Sequence, residues 1–238
     1  MFRLPFLRRS RLEPLPITMT GVRMGERLLQ IGIDDPATAG MLAKKVGLSG
    51  ASALAAPADA DAARARSAAA EAGALIDVQV VPWHRFPFEA GSFDLVVVHS
   101  VRGLLASLPP EHRVGCLQES WRMLREGGRI IVIESAPRRG LAGLLRGHRA
   151  DPHYAAGGAE GALRAEGFKP VRLLGELDGL KFTEGVKWLN SPHSDSPMQP
   201  ASRTPAPSSS AGSGSGTSSS SQGGSSTGSR GTRESNNQ

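Results

Sequence analysis

The sequence predicts an α/β fold: a doubly wound, mostly parallel seven-stranded sheet that ends in an antiparallel hairpin. Three observations predict it. Strand-like and helix-like segments alternate from Arg27 onward, the pattern of parallel strands joined by crossover helices. Two inner strands are continuous apolar runs, Phe93 to His99 (FDLVVVH) and Arg129 to Glu134 (RIIVIE), as expected of strands covered on both faces. The last two runs are joined by Asp178-Gly179, a two-residue link that favours a hairpin.

The elements follow in order. Arg27 to Gly32 (RLLQIG) is the first strand. Asp34, Asp35 and Pro36 read as a helix start, with an acidic cap and a proline in the first turn. That helix runs to about Val46, where Gly47 stops it. Ala51 to Ala56 is a weak second strand, and the alanine-rich stretch Asp59 to Ala72 is helical up to Gly73. Ile76, Val78 and Val80 alternate in a third strand, and Phe93 to His99 is the fourth. Val114, Leu117, Trp121 and Leu124 recur at helical spacing between charged residues, and Gly127 with Gly128 is expected to end that helix. Arg129 to Glu134 is the fifth strand, a helix is expected near Ala159 to Glu166, and Val171 to Leu177 with Leu180 to Lys187 forms the hairpin.

Composition bounds the rest. Of the 238 residues, the last 48 (191–238) hold 17 Ser and 7 Gly, and their only apolar side chains are Met198 and three alanines. Such a segment buries too little to offset its chain entropy and is expected to be a disordered tail. All three Trp, all seven Phe and the one Tyr precede it. The expected organisation is a basic arm at 1–24, one domain at 25–190 and the tail at 191–238. No aliphatic run is long enough to span a membrane. The single cysteine, Cys116, excludes a disulfide framework and a cysteine-built zinc site, and a reduced, cytoplasmic setting fits. No metal site is expected. The net charge of +6 is concentrated in the arm, where five arginines face Glu13; the remainder is near balance, so no nucleic-acid partner is expected. The arm is read as a loose leader, with a weak contact to an anionic membrane or a protein as the alternative. Met1 and Met19 both stand as candidate starts.

Four segments, taken in their order, resemble class I S-adenosylmethionine-dependent methyltransferases of the type 11, ubiquinone/menaquinone-biosynthesis-like family. Phe86-Pro87-Phe88 with Gly91-Ser92-Phe93-Asp94-Leu95-Val96 resembles the stretch that leads into the family's fourth strand. Leu124-Arg125-Glu126-Gly127-Gly128-Arg129 resembles its turn into the fifth, Gly167-Phe168 its approach to the sixth, and the hairpin its last strand pair. The resemblance spans about Gly25 to Lys187 and implies a Rossmann-like methyltransferase fold. It also implies S-adenosylmethionine as cofactor and methyl transfer to a small acceptor that the sequence does not name.

Carried over position by position, the family's cofactor contacts fall on Gln30, Gly32, Ile33, Asp34, Ala56, Trp83, His99 and Ser100. The family's Asp-x-Gly-x-Gly-x-Gly run matches Gln30 to Pro36, where Gln30 replaces the leading acid and Asp34 and Pro36 replace two glycines. The acid that holds the ribose falls on Ala56, and the acid near the adenine falls on Pro82, beside Trp83. His99, at the end of the fourth strand, is the candidate catalytic residue, as a substrate contact or base. The alternative to methyl transfer is a catalytically inactive binding or scaffolding member of the same fold.

Overall fold

A computed structural model describes residues 13–136 and 151–188, leaving out the side chains of residues 152 and 153. The expected tail and the first half of the arm fall outside the described residues. The chain order is α1 (Leu15–Thr20), β1 (Arg27–Ile31), α2 (Pro36–Val46), β2 (Ala51–Ala56), α3 (Asp59–Ala72), β3 (Asp77–Val80), β4 (Phe93–Ser100), α4 (Leu104–Ser107), α5 (Pro110–Met123), β5 (Leu124–Ser135), α6 (Pro152–Ala165), β6 (Val171–Leu177) and β7 (Leu180–Val186).

The seven strands form one sheet in the order β3-β2-β1-β4-β5-β7-β6. Pairing is parallel from β3 to β5 and antiparallel for β5–β7 and β6–β7. The expected doubly wound sheet with a terminal hairpin is therefore present. Asp178 and Gly179 both take positive φ in the turn, the requirement that selects Asp-Gly there. In β4, Leu95 to Val98 are fully buried. Their side chains alternate between two clusters: Val96 and Val98 join Leu29, Ile31, Ile130 and Phe168, while Leu95 and Val97 join Leu28, Leu42, Ile131 and Phe182. Each face is thus closed by its own helices, which is why the strand sequence is apolar throughout.

Sequence punctuation explains the helix ends. Asp35 caps α2, its carboxylate accepting from the amides of Ala37 (3.3 Å) and Thr38 (3.1 Å), with Pro36 in the first turn. α2 packs against α3 so closely that a Cβ on Gly40 would lie 2.4 Å from the Ala68 carbonyl oxygen. The small side chains of α3 make that approach feasible.

Three boundaries differ from the sequence expectation. Leu124 leaves the helix (φ −68°, ψ 137°) and pairs with Phe93, so β5 begins before the two glycines. Gly127 turns within the strand instead (φ +71°), its amide donating to the Lys187 carbonyl. α6 begins at Pro152, because two helical pieces meet at a kink at Gly158 (φ 56°, ψ −157°) and only the second shows a readable period. Within the arm, residues 15–20 form α1 and bury Ile17 and Thr20 against the core, so this half of the arm is part of the packed fold.

Candidate functional site

Doubly wound sheets bind ligands outside the carboxyl ends of their strands, where the strand order reverses. Here that point lies between β1 and β4. The turn after β1 supplies Gly32, Ile33, Asp34 and Asp35. The turn after β4 supplies Val101, Arg102 and Gly103, and then the short helix α4.

The end of β1 is tied to the end of β4 by a buried polar pair. His99 Nε2 donates to the Gln30 side-chain oxygen at 2.9 Å, and the Gln30 amide nitrogen donates to the Ala39 carbonyl at 3.0 Å. Glutamine can do both, whereas the acid it replaces could only accept. Both residues are buried. Burial pushes the His99 pKa down to about 4, and the nearby Asp34 and Asp35 carboxylates only partly oppose it. The ring is therefore neutral near pH 7. A base with a pKa near 4 is well below the value that suits general-base work at neutral pH.

Above this pair, the Asp34 carboxylate accepts hydrogen bonds from the backbone amides of Val101 (2.5 Å) and Arg102 (3.3 Å). Gly32 adopts φ +76°, and a Cβ there would sit 3.0 Å from Leu104 Cδ2 and 3.3 Å from the His99 carbonyl oxygen. Ser100, buried beside His99, accepts from the Leu105 amide at 3.1 Å and so fixes the start of α4.

The predicted site residues therefore divide. Gln30, Gly32, Asp34, His99 and Ser100 meet at the β1–β4 crevice. Ile33 and Ala56 are core residues, packed with Leu54, Ala62 and Val78. Ala56 contributes only its carbonyl, which accepts from the Val81 amide at 3.0 Å. Trp83 packs on the cluster built around Leu29, Val98 and Leu105. His84 stacks on His112, with ring centroids 4.9 Å apart. Sequence reasoning missed α4 altogether. Its signal was the bracketing of Leu104 to Leu108 by Gly103 on one side and Pro109-Pro110 on the other.

A small cleft of about 210 Å³ opens beside the crevice, lined by Pro16, Asp34, Thr38, His99, Ile133 and Leu180 among others. A larger groove of about 580 Å³ runs between α2 and α3, lined by residues such as Met41, Arg64 and Glu71. The second is helix surface, so the strand-end cleft is the chemically relevant one despite its size.

At the end of β5, Glu134 accepts from the Tyr154 hydroxyl and from the Ala159 amide at 3.4 Å, which anchors the second half of α6. Arg113 pairs with Asp151 and lies over the Tyr154 ring, 5.1 Å from its centroid. Burial first, and then the neighbouring Glu134 carboxylate, push the Tyr154 pKa up, so the phenol stays protonated. Among the described residues, no group of three or more His, Cys, Asp or Glu is arranged to hold a metal ion. Nor is any helix among them long and apolar enough to cross a membrane.

Residues 37–132 match the family model described as a methyltransferase domain. Over that stretch the chain is similar to methyltransferase domains of the type 11 family. No curated protein matches it in sequence. Several solved structures share the fold. An S-adenosylmethionine-dependent methyltransferase from Aquifex aeolicus has a TM-score of 0.53 at 16% identity, covering 72% of this chain and 87% of that one. A putative methyltransferase in complex with the Haloferax volcanii Trm112 activator gives 0.52 at 14% identity, covering 73% and 86%. An O-methyltransferase from Thermotoga maritima gives 0.51 at 15%, covering 72% and 63%. At these identities the likeness is one of fold.

The resemblance implies S-adenosylmethionine as cofactor. The crevice as folded does not fit it. No carboxylate stands at Ala56 or Pro82. The open side of Gly32, where a bare backbone would admit a ligand, is filled by Leu104. The 210 Å³ cleft falls below the roughly 300–1,000 Å³ usual for sites of drug-sized ligands. The family match also begins at Ala37, just past the Gln30 to Pro36 loop.

Proposed function

We propose that the chain is a methyltransferase-like protein whose substrate is a small methyl acceptor bound at the carboxyl ends of β4 and β5. The observation that carries this reading is the family match across 37–132, which contains β2 to β4, α5 and most of β5. A cytoplasmic setting belongs to the same proposal, and the lone, buried Cys116 is in keeping with it. In this reading His99 is a neutral positioning residue, held by Gln30, and methyl transfer would depend chiefly on placing two ligands in line.

The second reading is a binding or scaffolding role without cofactor. Three acids of the family pattern are absent, at Gln30, Ala56 and Pro82, and the chain's own side chains fill the crevice. Calorimetric titration of S-adenosylhomocysteine into the full chain and into Asp34→Gly separates the two. Micromolar binding by the unaltered chain supports methyl transfer, and an acceptor screen then follows. Absence of binding up to millimolar concentrations in both proteins supports the second reading.

A further inference from the structure

We propose that residues 101–104, the turn before α4 and its first residue, form a built-in plug of the β1–β4 crevice, and that ligand entry requires this turn to move off Gly32 while Leu105 and Leu108 stay in the core. The proposal rests on the reading of the chain as methyltransferase-like, with its cofactor seat in that crevice.

The plug meets the seat at two points. Leu104 lies against the bare face of Gly32, and the Asp34 carboxylate holds the amides of Val101 and Arg102. Backbone amides at a strand end are the groups that would receive an anionic ligand. Here a side chain from the neighbouring turn takes them. A glycine at position 34 could not do so.

The remainder of the segment is held by side chains from outside it. Ser135 Oγ donates to the Val101 carbonyl at 2.7 Å, Ser100 Oγ accepts from the Leu105 amide, and Arg113 donates to the carbonyls of Leu105 (3.3 Å) and Leu108 (3.4 Å). Leu105 is fully buried and Leu108 nearly so in the main core, and they anchor α4, whereas residues 101–104 are part-buried or exposed. The part that can move is thus the turn, and Gly103, at φ +83° in the left-handed region that favours glycine, is its hinge. Position 104 is moreover the apolar side chain nearest the bare face of Gly32. Its removal would open space without touching the sheet.

Hydrogen exchange and calorimetry on the full chain test this together. Asp34→Ala and Leu104→Ala, singly and combined, are compared with the unaltered protein. Exchange at Val101 and Arg102 is expected to rise about tenfold or more, while the Leu105 amide and the β4 amides of Leu95 to Val98 keep their protection and show that the fold persists. S-adenosylhomocysteine affinity is expected to rise at least tenfold in the double variant. If the double variant does not fold, Asp34→Ala alone gives the same two readouts. Unchanged exchange at Val101 and Arg102 overturns the plug. So does micromolar binding by the unaltered chain with Val101 and Arg102 still protected, although the methyl-transfer reading would then stand. Faster exchange with no binding in any variant overturns the crevice as a cofactor seat, and the gate with it.

Discussion

The buried His99 should make this protein unusually sensitive to mild acid. Its pKa is about 4 in the folded state, against an ordinary value of 6.5, because burial disfavours the charged ring. A lowered folded pKa means that the unfolded chain binds the proton more readily. The stabilisation is complete above pH 6.5 and is lost as pH falls toward 4. The full difference amounts to about 3 kcal/mol, at 1.36 kcal/mol per unit of pKa. Between pH 7 and pH 5 the same linkage gives a loss of about 2 kcal/mol. For a urea slope of about 2 kcal/mol per molar, the unfolding midpoint would fall by about 1 M over that range. The carboxylates do not confuse this window. Burial raises the Asp94 carboxyl, but Arg125 and Arg27 more than offset it, and Arg122 lowers Glu119. Both groups therefore lose their contribution only at more acid pH. The control is His99→Gln, whose amide can still donate to Gln30. It should flatten the dependence between pH 7 and pH 5 by more than half. Parallel midpoint profiles for the two proteins would refute the assignment to His99.

Three further outcomes are expected. Gly40→Ala should destabilise by about 1–3 kcal/mol, because overpacking against the Ala68 backbone outweighs the roughly 1 kcal/mol of helix propensity gained; a stabilised variant in thermal melts would show that α2 and α3 separate freely. Tyr154→Phe should cost about 1–3 kcal/mol in urea unfolding, since it leaves the Glu134 carboxylate short of a donor in a part-buried position; an unchanged midpoint would mean that water replaces the hydroxyl. Cys116 is buried and its pKa is pushed up to about 12, first by burial and then by Glu119, so disulfide-reagent labelling at pH 8 should track global unfolding. Rapid labelling of the native protein would contradict that burial.

The fold was legible because its signals are local and repeated. The apolar runs of β4 and β5, the Asp35-Pro36 helix start and the Asp-Gly turn each report a feature of their own segment, and they agree with one another. The candidate site was legible only in part. Gln30, Gly32, Asp34, His99 and Ser100 converge because they lie at the ends of adjacent strands, which strand order predicts. Ile33 and Ala56 were placed by alignment to a pattern. Their apolar side chains lie in the core, packed with Leu54, Ala62 and Val78. α4 escaped notice because a four-residue helix has no period to read. Leu124 was assigned to a helix because an apolar residue at helical spacing fits a strand start equally well.

The departures in the Gln30 to Pro36 loop are not independent losses. Replacing an acid by Gln30 removes a charge from the sheet interior and supplies an acceptor for His99 and a donor for Ala39 at once. Placing a carboxylate at position 34 supplies a partner for two amides of the opposite turn. Placing proline at 36 completes the cap that Asp35 begins. Random decay of a ligand loop would leave unpaired buried groups, each costing about 1–3 kcal/mol. In this crevice every altered polar position has an internal partner. The loop therefore stabilises a closed crevice, and any ligand that enters it must displace contacts that the chain already satisfies for itself.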